Sequence, residues 1–262
     1  MDLGLKGKIA LVTAGSKGLG FASAMELARE GALVIIASRS RDNLKRAADK
    51  IRETVQNAEV DIYQVDLTNA DSIEALFSYI KDEYGKLDIL VYSTGGPRPG
   101  KFFEMSDEDW EDAYKLLAMS AIRVSRYAAE LMKPGKWGRI VYIASLTLLR
   151  PHPNIALSNV MRMPIAGLVR TLALELAKYN ITVNAVLPSL ILTDRVKQLA
   201  METAKRENAS LEEVYNRMAS SIPLGRLGTP EEIGSIVAFL ASEKASFITG
   251  SLIPVDGGAL LI

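Results

Sequence analysis

The chain contains no cysteine, which excludes disulfides, thiolate nucleophiles and cysteine-ligated zinc. It has one histidine, His152, so a histidine-rich metal centre is excluded too, and no metal is expected. It lacks an excess of charge of either sign, with 31 Lys plus Arg against 31 Asp plus Glu. Nothing in that balance argues for nucleic acid or an anionic membrane as a partner. No apolar run reaches the length of a membrane span, and the N-terminus shows no cleavable signal pattern. The expectation is a cytoplasmic protein that works on a small molecule. What the chain does have is core: 48% of its 262 residues are hydrophobic, enough for one large α/β domain.

Strand-like and helix-like segments alternate along the sequence. Lys8–Ala14, Ala32–Ser38 and Leu87–Ser93 are short, almost continuously apolar runs, the pattern of strands buried on both faces. Glu59–Val65, Arg139–Ala144, Thr182–Leu187 and Leu252–Val255 complete a set of about seven. Helical spacing fills Gly18–Glu30, Arg41–Val55, a stretch from Thr68 or Asn69 to about Tyr84, and Met163–Lys178, with Pro164 at its start or at a kink. Ser106-Asp-Glu-Asp109 caps a helix that should run to Met132, and Thr229-Pro-Glu-Glu232 opens the last one. Repeated β-α-β units imply a doubly wound parallel sheet with helices on both faces, a Rossmann fold, here read as one domain over 1–262. Asp194–Ser221 interrupts the alternation as a helical insertion. Such insertions shape the ligand crevice or simply form a solvated surface pair.

The first strand runs into Thr13-Ala-Gly-Ser-Lys-Gly-Leu-Gly20 and then directly into a helix. Glycines allow a tight turn and close approach of backbone to a diphosphate, and the helix start supplies free N–H groups and positive potential. The second strand ends in Ser38-Arg39-Ser40-Arg41, without the acid that accepts from the ribose hydroxyls of NAD. Lys17 and Arg39 offer cations for a 2′-phosphate instead, which favours NADP(H) over NAD(H).

These segments resemble the short-chain dehydrogenase/reductase family, whose phosphate loop reads Thr-Gly-x-x-x-Gly-x-Gly; here the first glycine and its neighbour are exchanged as Ala14-Gly15. Pro188-Ser-Leu-Ile-Leu-Thr193, Pro223-Leu-Gly-Arg-Leu-Gly-Thr-Pro-Glu-Glu232 and Thr249-Gly-Ser-Leu-Ile-Pro-Val-Asp-Gly-Gly258 carry the resemblance to the C-terminus. The most similar subgroup is the 3-oxoacyl-acyl-carrier-protein reductase-like and glucose-dehydrogenase-like members. The resemblance implies coenzyme contacts at Thr13, Gly15, Ser16, Lys17, Gly18, Leu19, Gly20, Ser38, Arg39, Asp66, Leu67, Gly95, Pro188, Ser189, Ile191 and Thr193. It implies a homodimer or homotetramer as well. The apolar helix Met163–Lys178 and the chain end Ala-Leu-Leu-Ile262 agree with such an assembly.

The family's reductases use a serine, a tyrosine, a lysine and an asparagine. Ser145 matches the serine. Thirteen residues on, Ser158 stands where the tyrosine is expected, and Arg162 stands for the lysine four residues later. Counted from Trp110, Leu117 stands for the asparagine. A serine hydroxyl is a far weaker acid than a phenol, and arginine stays charged and cannot join a proton relay. Two readings remain open. One is a carbonyl/alcohol oxidoreductase with a displaced proton donor, with Tyr92, Tyr142 and His152 as candidates. The other is a nucleotide-binding protein without redox turnover. Non-redox chemistry, such as a lyase or isomerase, has no specific support. Substrate specificity should lie in Gly96–Glu104, Leu146–Leu157 and Asp194–Ser221.

Overall fold

In the computed structural model, which describes residues 2–261, seven strands form one sheet. They are β1 (Ile9–Thr13), β2 (Leu33–Ser38), β3 (Val60–Gln64), β4 (Ile89–Tyr92), β5 (Gly138–Ile143), β6 (Ile181–Pro188) and β7 (Leu252–Val255). The spatial order is β3-β2-β1-β4-β5-β6-β7, and every neighbouring pair is parallel. The doubly wound sheet expected from the alternation is therefore what the chain forms, with helices on both faces.

Alternation along the strands distributes residues between two cores. Ile9, Leu11, Ile35, Leu90 and Ile140 face helices α3 (Ala70–Tyr84), α5 (Ser120–Met132) and α7 (Met163–Leu176). Ala10, Val12, Val34, Ile36 and Val141 face α1 (Gly18–Arg29), α2 (Arg41–Thr54) and α10 (Pro230–Leu240). Each fully buried Leu or Ile contributes about 1.5–3 kcal/mol relative to exposure, so both faces must be covered before such apolar strands are stable. Gly234 lets α10 approach α1 closely, since a Cβ there would lie 2.7 Å from the Ala22 carbonyl oxygen.

The helix expected from Ser106 to Met132 does run that far, but not as one regular helix. It comprises α4 (Asp107–Ala113), a wide π segment at Tyr114–Met119 and α5. Pro164 falls at the start of α7 rather than at a kink within it, and a short helix not foreseen, α6 (Ala156–Met161), precedes it. Proline lacks an N–H and its ring clashes with the preceding turn, so one continuous helix through this stretch is disfavoured and Arg162 sits at the junction. The insertion folds as α8 (Asp194–Glu207) and α9 (Leu211–Ser220). Among the described residues, no helix is long and apolar enough to cross a membrane.

Candidate active site

The strand order reverses between β1 and β4, and crevices at the C-terminal ends of strands at such a switch point are where ligands bind in open α/β sheets. Here Thr13 joins the two strands. Its buried hydroxyl donates to the Ser93 carbonyl at 2.7 Å and accepts from the Ser93 N–H at 2.8 Å.

Past Thr13 the chain turns sharply. Ala14 adopts φ +48° and Gly18 φ +57°. Ala14 stands where the resembling loop has glycine, and it keeps the left-handed conformation at a cost of about 1–2 kcal/mol. Gly15 and Gly20 are needed for space: a Cβ would lie 2.8 Å from the Val12 oxygen at the first and 2.5 Å from the Ala14 oxygen at the second. Helix α1 then begins at Gly18 without a side-chain cap. Ser40, Asn69, Ser106, Thr193, Ser210 and Thr229 cap α2, α3, α4, α8, α9 and α10, whereas α6 and α7, like α1, start without a side-chain cap. The opening amides of α1 thus have no side-chain acceptor, the condition for an anion there. Two hydroxyls at the same edge, Ser38 Oγ ending β2 and Thr94 Oγ1 just past β4, are buried without a hydrogen-bond partner among the described residues.

The remaining expected coenzyme positions are distributed around this loop. Lys17 and Arg39 are exposed, and Ser16 and Leu19 are half-buried. Asp66 Oδ1 accepts from the Thr68 N–H at 2.9 Å and the Thr68 hydroxyl at 2.8 Å. The Thr68 backbone bond is the main cause of its lowered pKa, and the nearby Arg39 adds to it. Leu67 is buried, while Gly95 lies exposed after β4. Pro188 ends β6, and Ser189 donates to the Asp256 carbonyl at 3.1 Å. Ile191 pairs with Gly228, and Thr193 caps α8 next to Gly18, where a Cβ would stand 3.6 Å from the Thr193 methyl.

Ser145 follows β5, half-buried, and its Oγ accepts from the Thr147 N–H at 3.2 Å. On the packed helix α6, the Ser158 hydroxyl accepts from Arg162 Nε at 3.1 Å. The two substituted positions therefore bond to each other. Burial pulls the Arg162 pKa below its ordinary value; Arg195 acts in the same direction and Tyr92 against it. Leu117 is buried within the π segment.

The candidate replacement acids are placed less favourably. Tyr92 and Tyr142 are fully core-packed, with ring centroids 5.6 Å apart. The Tyr92 hydroxyl lies 2.6 Å from Ser120 Oγ, and that of Tyr142 is bonded to Ser125. Burial raises the pKa of both phenols, the opposite of what a proton donor near neutrality needs. His152 is exposed, with Nδ1 2.9 Å from the Pro153 carbonyl oxygen.

The three loops expected to set specificity do meet. Gly100 N–H donates to Asn154 O at 2.7 Å, Ala156 N–H donates to Gly100 O at 3.0 Å, and Arg195 Nη2 donates to Pro97 O at 3.2 Å. Arg195 and Thr94 were not among the expected site residues. Thr94 lies in Tyr92-Ser-Thr-Gly95, the segment that stands for the family's Asn-Asn-Ala-Gly motif after the fourth strand, of which only Gly95 was expected as a contact. Arg195 falls within Asp194–Ser221, expected as a specificity segment, without having been singled out there. Among the described residues, no group of three or more His, Asp or Glu is placed to hold a metal ion.

Comparison with known proteins agrees with this geometry. A family model described as enoyl-(acyl carrier protein) reductase matches residues 13–259. The 3-oxoacyl-[acyl-carrier-protein] reductase FabG of Aquifex aeolicus is 34% identical over 258 residues, covering 98% of this chain and 99% of its own. The NADPH-dependent reductase BacG of Bacillus subtilis is 31% identical, covering 97% and 98%. The crystal structure of L-sorbose reductase from Gluconobacter frateurii, complexed with NADPH and L-sorbose, superposes with a TM-score of 0.96 at 32% identity over all of both chains.

Proposed function

Because the chain belongs to the short-chain dehydrogenase/reductase family, we propose that it moves hydride between NADP(H) and a carbonyl or alcohol substrate at the C-terminal edge of the sheet. The observation that carries this reading is the uncapped start of α1 at the switch point, with Ser145 ending the next-but-one strand. The unpartnered Ser38 and Thr94 hydroxyls fit the ribose-rich coenzyme. Of the relatives named above, BacG is NADPH-dependent and the L-sorbose reductase is complexed with NADPH, which agrees with the cations at Lys17 and Arg39.

In this reading Thr13, Gly15, Ser16, Gly18, Leu19 and Gly20 form the diphosphate cradle, and Lys17 and Arg39 attract the 2′-phosphate. Ser38, Asp66 and Leu67 border the adenosine. Gly95, Pro188, Ser189, Ile191 and Thr193 border the nicotinamide end. The bound nicotinamide supplies the hydride chemistry. Ser145 donates a hydrogen bond to the substrate oxygen. Arg162 contacts ribose hydroxyls and stabilises negative charge growing on that oxygen, while Ser158, oriented by Arg162, relays a proton from solvent. Tyr92 and Tyr142 serve as packing rather than as acids.

A second reading has its own support: Ser158, Arg162 and buried Leu117 occupy three of the four positions at which the family handles protons. That reading makes the chain a nucleotide-binding protein without turnover. The test is NADPH oxidation against a carbonyl panel, with Ser145→Ala as the control. The oxidoreductase reading expects kcat/KM to fall about 100-fold in that variant with coenzyme affinity retained. Coenzyme binding with no turnover of any carbonyl would establish the second reading instead.

Self-association belongs to the same proposal. Leu174 on α7 and Leu261 near the chain end are 83% and 85% exposed, apolar surface that a second copy would cover; Ile262 lies outside the described residues.

A further inference from the structure

We infer that Ser120 is a positioning residue. Together with Tyr92 it holds the widened turn Tyr114–Met119, and through that turn it sets where α6 carries Ser158. The catalytic consequence rests on the oxidoreductase reading; the structural consequence does not.

The first observation is the hydrogen bonding at the turn. The Ser120 N–H reaches back five residues to the Lys115 carbonyl, so the Leu116 carbonyl loses the partner it would have in an α-helix. Side chains take that place. The Ser120 hydroxyl donates to the Leu116 carbonyl oxygen. The Tyr92 hydroxyl lies 2.6 Å from Ser120 Oγ and 3.3 Å from the same carbonyl oxygen. Both side chains are buried, so water does not serve these groups instead. No proline or glycine within Tyr114–Met119 opens the turn.

The second observation is a matching set of groups without a widened turn. The Ser125 hydroxyl donates to the Ala121 carbonyl at 2.6 Å and is bonded to the Tyr142 hydroxyl. Tyr92 and Tyr142 are register partners on β4 and β5. Serine, tyrosine and carbonyl thus meet once at the widened turn and once inside the regular helix α5. Within α5 the hydroxyls add to a carbonyl that the backbone ladder already serves. At Ser120 they stand in for a backbone donor that has been diverted. The same chemistry therefore has a different task at the two places.

That task concerns the register between α4 and α5. If the turn closed as ordinary α-helix, everything on its N-terminal side would rotate by about 100° relative to α5, one residue's share of a 3.6-residue turn. Helix α4 and the widened turn both pack against α6. Ala113 in α4 and Leu117 and Ala118 in the turn are buried. Six residues are too few for α6 to hold its shape unaided, so these neighbours fix it. Ser158 lies on α6 and accepts from Arg162 Nε at 3.1 Å. A shift of about 1 Å at a reacting group costs about 100-fold in rate, so the turn reaches the chemistry without touching it.

The test compares two double variants of the full-length protein. One is Ser120→Ala with Tyr92→Phe; the control is Ser125→Ala with Tyr142→Phe. Hydrogen–deuterium exchange by mass spectrometry follows the amides of residues 156–162, and NADPH oxidation with L-sorbose and ethyl acetoacetate follows turnover. The first variant should speed exchange in that segment about 10-fold. It should lower kcat about 10- to 100-fold while the KM for NADPH stays within about 3-fold. The control should lose a similar amount of melting temperature, with segment exchange and kcat within about 2-fold of wild type. Ser120→Thr, which keeps the hydroxyl, should behave as wild type in both readouts. The inference is overturned if the segment exchanges alike in the two double variants, or if kcat falls as far in the control. Should the first double variant fail to fold, Ser120→Ala and Tyr92→Phe singly, against Ser125→Ala and Tyr142→Phe singly, decide by the same comparison. Should the wild type turn over neither carbonyl, that result counts against the oxidoreductase reading alone, and the exchange comparison decides the inference.

Discussion

The two edges of the sheet treat charge differently. At the N-terminal edge, Asp88 is buried and its carboxylate accepts from the Ile9 N–H at 2.9 Å and from Lys86 Nζ at 2.7 Å. Arg139, with no exposed surface, donates to the carbonyls of Ser242, Gly138 and Asn180, stacks 4.4 Å from the Trp137 ring centroid and lies 3.7 Å from Glu243. At the C-terminal edge, Arg162 and Arg195 have no acid partner among the described residues, α1 starts uncapped, and Ser38 and Thr94 keep unsatisfied hydroxyls. A fold tolerates buried charge where it supplies the partners itself. Buried atoms without a hydrogen-bond partner among the described residues occur at both edges, Trp137 Nε1, Arg139 Nη2 and Thr182 Oγ1 at the N-terminal one. What sets the C-terminal edge apart is that its unpartnered hydroxyls lie with an uncapped helix start at the end of the sheet to which ligands bind.

Substitutions at the two edges should therefore affect different measurements. The largest effect is expected from Gly20→Ala. The new Cβ would meet the Ala14 oxygen at 2.5 Å, so the loop must open. NADPH affinity should fall about 100-fold or more in a fluorescence titration, by loss of several backbone contacts to the diphosphate. Retained affinity would mean that the loop does not hold the coenzyme. Next is Arg139→Met at the other edge, which leaves three carbonyls without their donor. Urea unfolding should show a loss of about 2–4 kcal/mol with coenzyme affinity unchanged. A parallel drop in affinity would erase the distinction between the edges.

The smallest effect is expected from Glu232→Gln. Arg226 first, and then the Thr229 N–H, draw the Glu232 carboxyl down to about 2. Because the folded value lies below the unfolded one, near ~4.3, the stabilisation is present above that pH and is lost as pH falls toward 2. The pair is largely exposed, so the contribution is under about 1 kcal/mol. The wild type should lose slightly more melting temperature than the variant between pH 4.5 and 2.5; identical slopes would assign no role to this cap.

Much of this was legible in the chain. Ile9–Thr13 and Leu33–Ser38 read as strands because a sheet covered on both faces needs unbroken apolar runs. The loop Thr13–Gly20 read as a turn because its glycines answer to steric demands within a few residues. The family resemblance points to Ser145, Ser158 and Arg162, and in the structure Arg162 Nε donates to the Ser158 hydroxyl one helical turn away. The widened turn at Tyr114–Met119 was not legible, since no proline or glycine marks it. Nor was the separate helix Ala156–Met161, whose few residues give little periodicity. The contact of Arg195 with Gly96 and Pro97 spans nearly a hundred positions and exists only once the sheet has brought α8 over the end of β4. Local pattern fixes elements, whereas charge left without a partner becomes visible only after the chain has folded.

The central claim is that the C-terminal edge is shaped around a nicotinamide dinucleotide. Equilibrium titration of the wild-type protein with NADPH, followed by nicotinamide fluorescence, tests it most directly. The account predicts saturable binding of one coenzyme per chain, with weaker binding of NADH. Absence of association with either coenzyme would contradict it.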